Sequence, residues 1–309
     1  MKNLIKTYKS TFLVRFDKDP GIPYFSVEDF PNLHLEHSNF SNHLNVTINY
    51  FIYYYDNPRT DKVILLCPGI GPGHTAYLTE IELLCKKGYK VITLDYMGCG
   101  SSEGDRMPSI NEPTRDVVEL INHLNLEQEI VIFGHSLGAY TALNVINTMP
   151  SINKAVIISG FIDVVHEMLM FTSNYAEALR VKNYEKKLDP VCGKINNWKY
   201  LKTTRDNLLF IHSQDDQIVS YKLNFEKVAK ITNPSVKTYS LNHKRHNPTY
   251  SDSAIKFMTE SIGGYERLLR ENRNISDQER KDYFKDKPIG RMTEQDPVVW
   301  EVIMNFIER

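Results

Sequence analysis

The chain has 309 residues, 41% of them hydrophobic and 24% charged, a composition that excludes a disordered or fibrous protein and suits a sizeable folded core. Its 37 basic and 38 acidic residues leave a formal net charge of -1, so no overall basic field exists to gather nucleic acid or anionic lipid. Four cysteines (Cys67, Cys85, Cys99, Cys192) lack the close spacing of a zinc knuckle or redox pair and read as free thiols.

In chain order, the start MKNLIKTYKSTFLVRFDKDP carries only the short apolar run Phe12 to Val14, below the length of a secretory or membrane-spanning segment. The expectation is a cytoplasmic chain without stable membrane insertion. A stretch of poor periodicity follows. TINYFIYYY, Thr47 to Tyr55, is rich in β-branched and aromatic residues and reads as a strand, with DNPRTD as a hairpin loop after it. KVILLC, Lys62 to Cys67, is the fully apolar run of a strand covered on both faces. Helical spacing from Ala76 to Lys87, stopped by Gly88 before the strand YKVITLD, completes a βαβ unit.

The alternation repeats. A helix around Thr114 to Leu126 carries Val117, Val118, Ile121 and Leu124 on one stripe, and the strand EIVIFG ends at Gly134. A helix from Leu137 to about Met149 and the strands AVIISG and NLLFIH follow, so a mostly parallel sheet with helices on both faces is predicted. Between Gly160 and Asp206 the pattern stops, and the helix-like HEMLMFTSNYAEALR suggests an insertion over the strand ends. Beyond Pro248, Ser276 with Glu279 forms a capping box. Asp296 and Pro297 open a last helix with Val298, Val302, Ile303 and Phe306 on one face.

GHSLG, Gly134 to Gly138, sits between a strand and a helix, where a G-x-S-x-G sequence raises a serine hydroxyl on a sharp turn. Ser136 is the candidate nucleophile, and the amide of Leu137 points into the same space. A serine needs a base, and the base a carboxylate that orients it. SQDDQIV puts Asp215 and Asp216 at a strand end, with Asp216 preferred and Asp163 a distant third. NHKRHNP supplies His243 and His246. Their three-residue spacing, with Lys244 and Arg245 between and Pro248 after, disfavours a metal pair, and His246 is preferred as the base. In CPGIGPGH the glycines leave amides free, and Ile70 is the second candidate oxyanion donor. A dinucleotide fingerprint fails there, because Pro72 removes an amide and no third glycine falls in place.

These pieces, CPGIGPGH, DYMGCGSSEG, GHSLGA, HSQDDQIV and the HNP histidine, resemble in order the motifs of the α/β-hydrolase superfamily over residues 60 to 250 or so. Within it, they resemble the large group of serine esterases, monoglyceride lipases and serine aminopeptidase-like hydrolases. Pro68, Met97 and Arg245 depart from the usual histidine, arginine and glycine, the first two where the oxyanion loop is braced. The resemblance implies one α/β-hydrolase domain over 1–309 with a lid at 161–205, in which Met168, Met170 and Phe171 line an acyl pocket. It implies a metal-independent, cofactor-free serine hydrolase acting on a small acyl substrate, a carboxylic ester first. Thioesterase, acyltransferase or small-peptide hydrolase chemistry with the same triad stays open, as does a non-catalytic binding protein on this scaffold.

Overall fold

The computed structural model describes residues 4–272 and 274–309. An eight-stranded sheet organises them: β1 (His34–Ser41), β2 (Thr47–Tyr54), β3 (Lys62–Cys67), β4 (Lys90–Leu94), β5 (Glu129–His135), β6 (Lys154–Ile158), β7 (Asn207–Ser213) and β8 (Val236–Leu241). Their spatial order is β1-β2-β4-β3-β5-β6-β7-β8, with β3 to β8 parallel and β1 and β2 antiparallel to their neighbours. Helix α1 (Leu4–Phe12) precedes the sheet. Helices α2 (Leu78–Lys86), α3 (Glu112–Leu124) and α4 (Leu137–Thr148) join successive parallel strands. Helices α5 (Val164–Met168), α6 (Tyr175–Leu188) and α7 (Asn197–Thr203) lie between β6 and β7, and α8 (Phe225–Val228) between β7 and β8. The chain closes with α9 (Asp252–Glu271), α10 (Asp277–Phe284), α11 (Ile289–Met292) and α12 (Pro297–Glu308). No helix among the described residues is long and apolar enough to cross a membrane.

The apolar run in β3 has the double-sided burial its composition requires: all six residues are buried. Val63 and Leu65 face one core with Val117 and Leu120 of α3 and Leu143 of α4. Ile64 and Leu66 face the other, with Ile81 and Leu84 of α2 and Trp300 and Ile303 of α12. Each such side chain contributes roughly 1.5–3 kcal/mol through burial, which fixes the register of the strand that leads into CPGIGPGH. Lys62 enters the same strand by donating its Nζ to the Ile307 carbonyl at 2.9 Å.

Three local expectations are corrected. The segment after Tyr55 does not close a hairpin, because β2 lies beside β4 and β1 rather than β3. The hairpin is β1–β2, turned at Asn42–Val46 with Asn45 at φ 57°. β1 is an exposed polar edge strand, HLEHSNFS, with only Phe40 buried, so its sequence shows no alternation. In α12, Val298 is 60% exposed, and the inward stripe is Val299, Trp300, Ile303, Phe306 and Ile307. The first turn is held by the Asp296 cap, which accepts from the Val298 and Val299 amides and so sets which face turns inward. HEMLMFTSNYAEALR is two helices, because Asn174 caps a new start before Tyr175.

Several buried carboxyls make stability depend on pH. Burial raises Glu80 and Asp116 each to about 7, and burial together with the neighbouring Asp116 raises Glu112 to about 8. Asp116 accepts from Asn42 Nδ2 at 3.0 Å and the Met97 amide at 2.8 Å, which offsets only part of its desolvation. A folded-state pKa above the unfolded value gives stability that is complete near pH 4 and below. It is lost as pH rises through 7 to 8. Urea unfolding should therefore show a less stable chain at about pH 8.5 than at about pH 6. Asp116→Asn should shrink that difference by on the order of 1 kcal/mol or more. An unchanged difference would remove Asp116 from this account.

Candidate active site

The end of β5 delivers Ser136 with φ 56° and ψ −121°, a left-handed backbone that a serine adopts only under constraint, at a cost on the order of 1–3 kcal/mol. The constraint is visible on both sides. The Ser136 amide donates to the Ile158 carbonyl at 2.9 Å, and its own carbonyl accepts from Ala139 and Tyr140 as α4 begins. Ser136 and Leu137 open onto a cavity of about 470 Å³, lined also by Ile70, Phe161, Glu167, Met170 and Phe171. Among the described residues, neither the Ile70 nor the Leu137 amide has an acceptor within the chain. Two free donors near a raised hydroxyl make an arrangement able to hold a developing oxyanion.

The ends of β7 and β8 bring Asp216 and His246 together. Asp216 Oδ1 accepts from the amides of Ile218 at 2.8 Å and Val219 at 3.1 Å, which locks its carboxylate plane. Its Oδ2 lies 2.8 Å from His246 Nδ1. A carboxylate only accepts, so Nδ1 carries the proton and Nε2 is left with its lone pair, the state a general base requires. His212 Nε2 donates to the Val219 carbonyl at 3.0 Å and stands 2.9 Å from the same Asp216 oxygen. Burial would raise the Asp216 pKa, but hydrogen bonds from His212 and His246 overcome it and hold the group well below the usual carboxylate range.

Asp215, Asp163 and His243 have other places in the structure. Asp215 accepts from Ser213 Oγ at 2.5 Å and the Arg245 amide at 3.1 Å, as a loop brace. Asp163 caps α5 through the His166 amide and accepts from Trp198 Nε1 at 2.7 Å. His243 is exposed with φ 62°, at the turn that leads into the loop. Met170 and Phe171 line the cavity, but Met168 does not. It is fully buried in the core, because α5 turns its last residue inward.

Several participants escaped sequence reasoning. His135, between Gly134 and Ser136, is half-buried, and desolvation together with His246 lowers its pKa to about 3, so it is neutral. Its Nε2 lies 2.8 Å from the His246 carbonyl, and its Nδ1 lies 2.8 Å from Tyr77 Oη. The carbonyl dictates the tautomer: Nε2 donates, Nδ1 accepts from Tyr77, and the Tyr77 oxygen in turn accepts from the Gly69 amide at 2.8 Å. One chain of hydrogen bonds thus ties the Gly69–Ile70 loop to the backbone of His246. Lys244, buried between the two histidines, donates to the Tyr250 carbonyl at 2.9 Å and pairs with Asp296 at 2.6 Å, anchoring that loop to α12.

The N-terminal segment is part of the site too. Thr11, Phe12 and Phe16 line the cavity, with Phe12 edge-on to Phe171 at 6.0 Å. Arg15 spreads its guanidinium over the carbonyls of Ser102, Gly104 and Gly100 at 3.1, 2.7 and 2.9 Å. It braces the DYMGCGSSEG loop from outside, where Met97 offers no cation from within. In that loop Asp95 accepts from the His74 amide and Nδ1, both at 2.8 Å, which holds the far end of CPGIGPGH.

Residues 58–208 match the family model described as Serine aminopeptidase, S33. The fold is shared with an esterase of Pyrococcus furiosus, 18% identical with a TM-score of 0.58, over 84% of this chain and 98% of that one. It is shared as well with Est1E of Butyrivibrio proteoclasticus, solved with ferulic acid bound, 12% identical with a TM-score of 0.56, over 76% of this chain and 100% of that one. A curated relative, the putative chloroplastic methylesterase 12 of Arabidopsis thaliana, is 27% identical over 100 residues, which span 31% of this chain and 29% of that relative. With its eight-stranded, mostly parallel sheet, its match to that family model over residues 58–208 and these structural neighbours, the chain has the α/β-hydrolase fold.

Proposed function

We propose that the chain is a serine hydrolase that cleaves a carboxylic ester through an acyl-enzyme. The observation that carries this reading is the His246 Nδ1 to Asp216 contact of 2.8 Å, which leaves an imidazole with a free nitrogen on the loop packed against His135, the residue before Ser136. In the proposed course, Ser136 Oγ attacks the ester carbonyl carbon while His246 Nε2 takes the hydroxyl proton. The oxyanion is held by the Leu137 and Ile70 amides, worth about 10²–10³ in rate per donor. Collapse breaks the bond to the alcohol oxygen, which leaves with the proton from His246. Water then adds to the acyl-enzyme by the same path in reverse.

The mostly apolar cavity beside Ser136 supports an ester of modest size, and residues 161–205 act as its lid in this reading. The lid belongs to a single 1–309 domain. Four free, buried cysteines suit a reducing cytoplasmic setting. The match to the serine aminopeptidase family model favours a second substrate class, small peptides, so the discriminating panel holds nitrophenyl esters, acyl thioesters and aminoacyl amides side by side. A fluorophosphonate should label the folded chain, and Ser136→Ala should abolish labelling and lower turnover by at least about 10⁴-fold. Intact labelling in Ser136→Ala would put the nucleophile elsewhere. Turnover of amides alone would replace the ester reading.

A further inference from the structure

Glu167 stands out among the groups around the Ser136 cavity. It lies in α5, is 4% exposed, and faces the same cavity as Ser136 and Leu137. Its Oε2 is buried without a hydrogen-bond partner, and among the described residues its Oε1 has none either. Apolar Phe161, Met170 and Phe171 line the cavity with it, and Thr11 and Gln217 are its uncharged polar neighbours in the lining besides Ser136. A buried carboxyl with nothing to bond costs stability, and a core position would be better filled by leucine. A group held at that cost against a substrate cavity is placed to meet something that arrives with the substrate.

The two sides of the site separate the parts of an ester. The alcohol must receive its proton from His246, and His246 lines a second cavity of about 360 Å³ with Met258 and Ile262 of α9. Gln217 and Ile218 border both cavities and divide them. In the proposed course, the leaving alcohol would face the α9 side and the acyl group on Ser136 would lie in the cavity that holds Glu167.

We infer that Glu167 is a specificity residue whose carboxyl donates a hydrogen bond to an oxygen carried by the acyl chain of the substrate. This rests on the serine-hydrolase reading and sharpens it from an ester to an ester whose acyl group is oxygenated. The carboxyl keeps its proton because burial first, and the charge of Asp216 second, raise its pKa to about 8. Among the groups at the site, Asp216 is the anion that faces it. His212 and His246 both contact Asp216 through its Oδ2, at 2.9 and 2.8 Å. A neutral acid in a mostly apolar wall is a donor, and an ether, ketone or hydroxyl oxygen accepts from it.

The test uses the full chain and para-nitrophenyl alkanoates in which one acyl methylene after another is replaced by an ether oxygen, with an ammonium-bearing ester as a further arm. For one oxygen position, the wild type should prefer the ether over the plain chain by roughly 3- to 10-fold more, in kcat/KM, than Glu167→Leu does. Glu167→Gln, whose amide still donates, should keep most of that preference. Above about pH 8 the preference should fade in the wild type, as Glu167 loses its proton, and persist in Glu167→Gln. Glu167→Leu should unfold at higher urea than the wild type, since it removes a buried unpaired carboxyl, whereas Glu167→Gln, which leaves an unpaired amide in its place, should not.

Equal preferences in the wild type and Glu167→Leu at every oxygen position would overturn the proposal. So would a preference for the ammonium ester that vanishes in Glu167→Gln, which would make Glu167 a carboxylate for a cation. A wild-type chain that fluorophosphonate does not label would overturn the nucleophile itself, and the acyl-side role with it.

Discussion

His246→Ala is expected to lower kcat/KM for an ester by at least about 10³-fold, while His243→Ala stays within about two-fold of the wild type. The two rings lie three residues apart in one loop, so the contrast separates chemistry from loop structure. His246 meets Asp216 at 2.8 Å, and its carbonyl accepts from His135, so the ring is held from two directions. His243 is exposed at a left-handed turn residue. Removing the His246 ring would take away the proposed acceptor for the Ser136 proton and leave the backbone bond to His135 in place, so the fold should survive. Circular dichroism and urea unfolding of both variants check that the loss is chemical. Comparable losses in both, or loss in His243→Ala alone, would sink the assignment of the base.

The central sheet was legible because its strands are buried on both faces and so read as uninterrupted apolar runs between helices of 3.6-residue period. KVILLC and EIVIFG needed no partner to be recognised. The edge was not legible. β1 buries Phe40 alone among its residues, and its pairing with β2 rests on backbone hydrogen bonds that leave no mark on side-chain pattern. Val298 was misplaced because a helical stripe can be drawn through 298, 302 and 306 as readily as through 299, 303 and 306. The choice between them comes from the Asp296 cap and the sheet beneath.

At the site, the residues that spacing and motif single out are those whose chemistry demands a particular turn: a serine between glycines, an acid at a strand end, a histidine in the following loop. What braces them comes from far away in sequence. Arg15 reaches the loop at 100–104, Tyr77 reaches His135, and Lys244 reaches Asp296. No local pattern announces such contacts, since each is a single polar side chain whose partner is decided by the packing of other elements. Glu167 was passed over for the opposite reason. In HEMLM it looks like the polar face of a helix, and only the three-dimensional wall shows that it has no partner.

Gly138→Ala is expected to destabilise the chain by about 3 kcal/mol or more and to abolish ester turnover in what remains folded. A Cβ on Gly138 would stand 1.9 Å from the Cys67 carbonyl oxygen and 2.5 Å from that of Pro68. Both are backbone atoms at the end of β3, so no side chain can rotate away, and α4 has to lift off the strand. That movement would separate the Leu137 amide from the Ile70 loop, which follows Pro68 directly, and would pull at the Ser136 turn that Gly134 already packs against Gly138. Gly263→Ala gives the contrast. It lies inside α9 with nothing within 4 Å of its Cβ, and alanine there should stabilise by roughly 0.5–1 kcal/mol. Urea unfolding of the two variants measures both terms. A Gly138→Ala chain as stable and active as the wild type would mean that the close approach of α4 to β3 does not hold the nucleophile and its oxyanion donors in register.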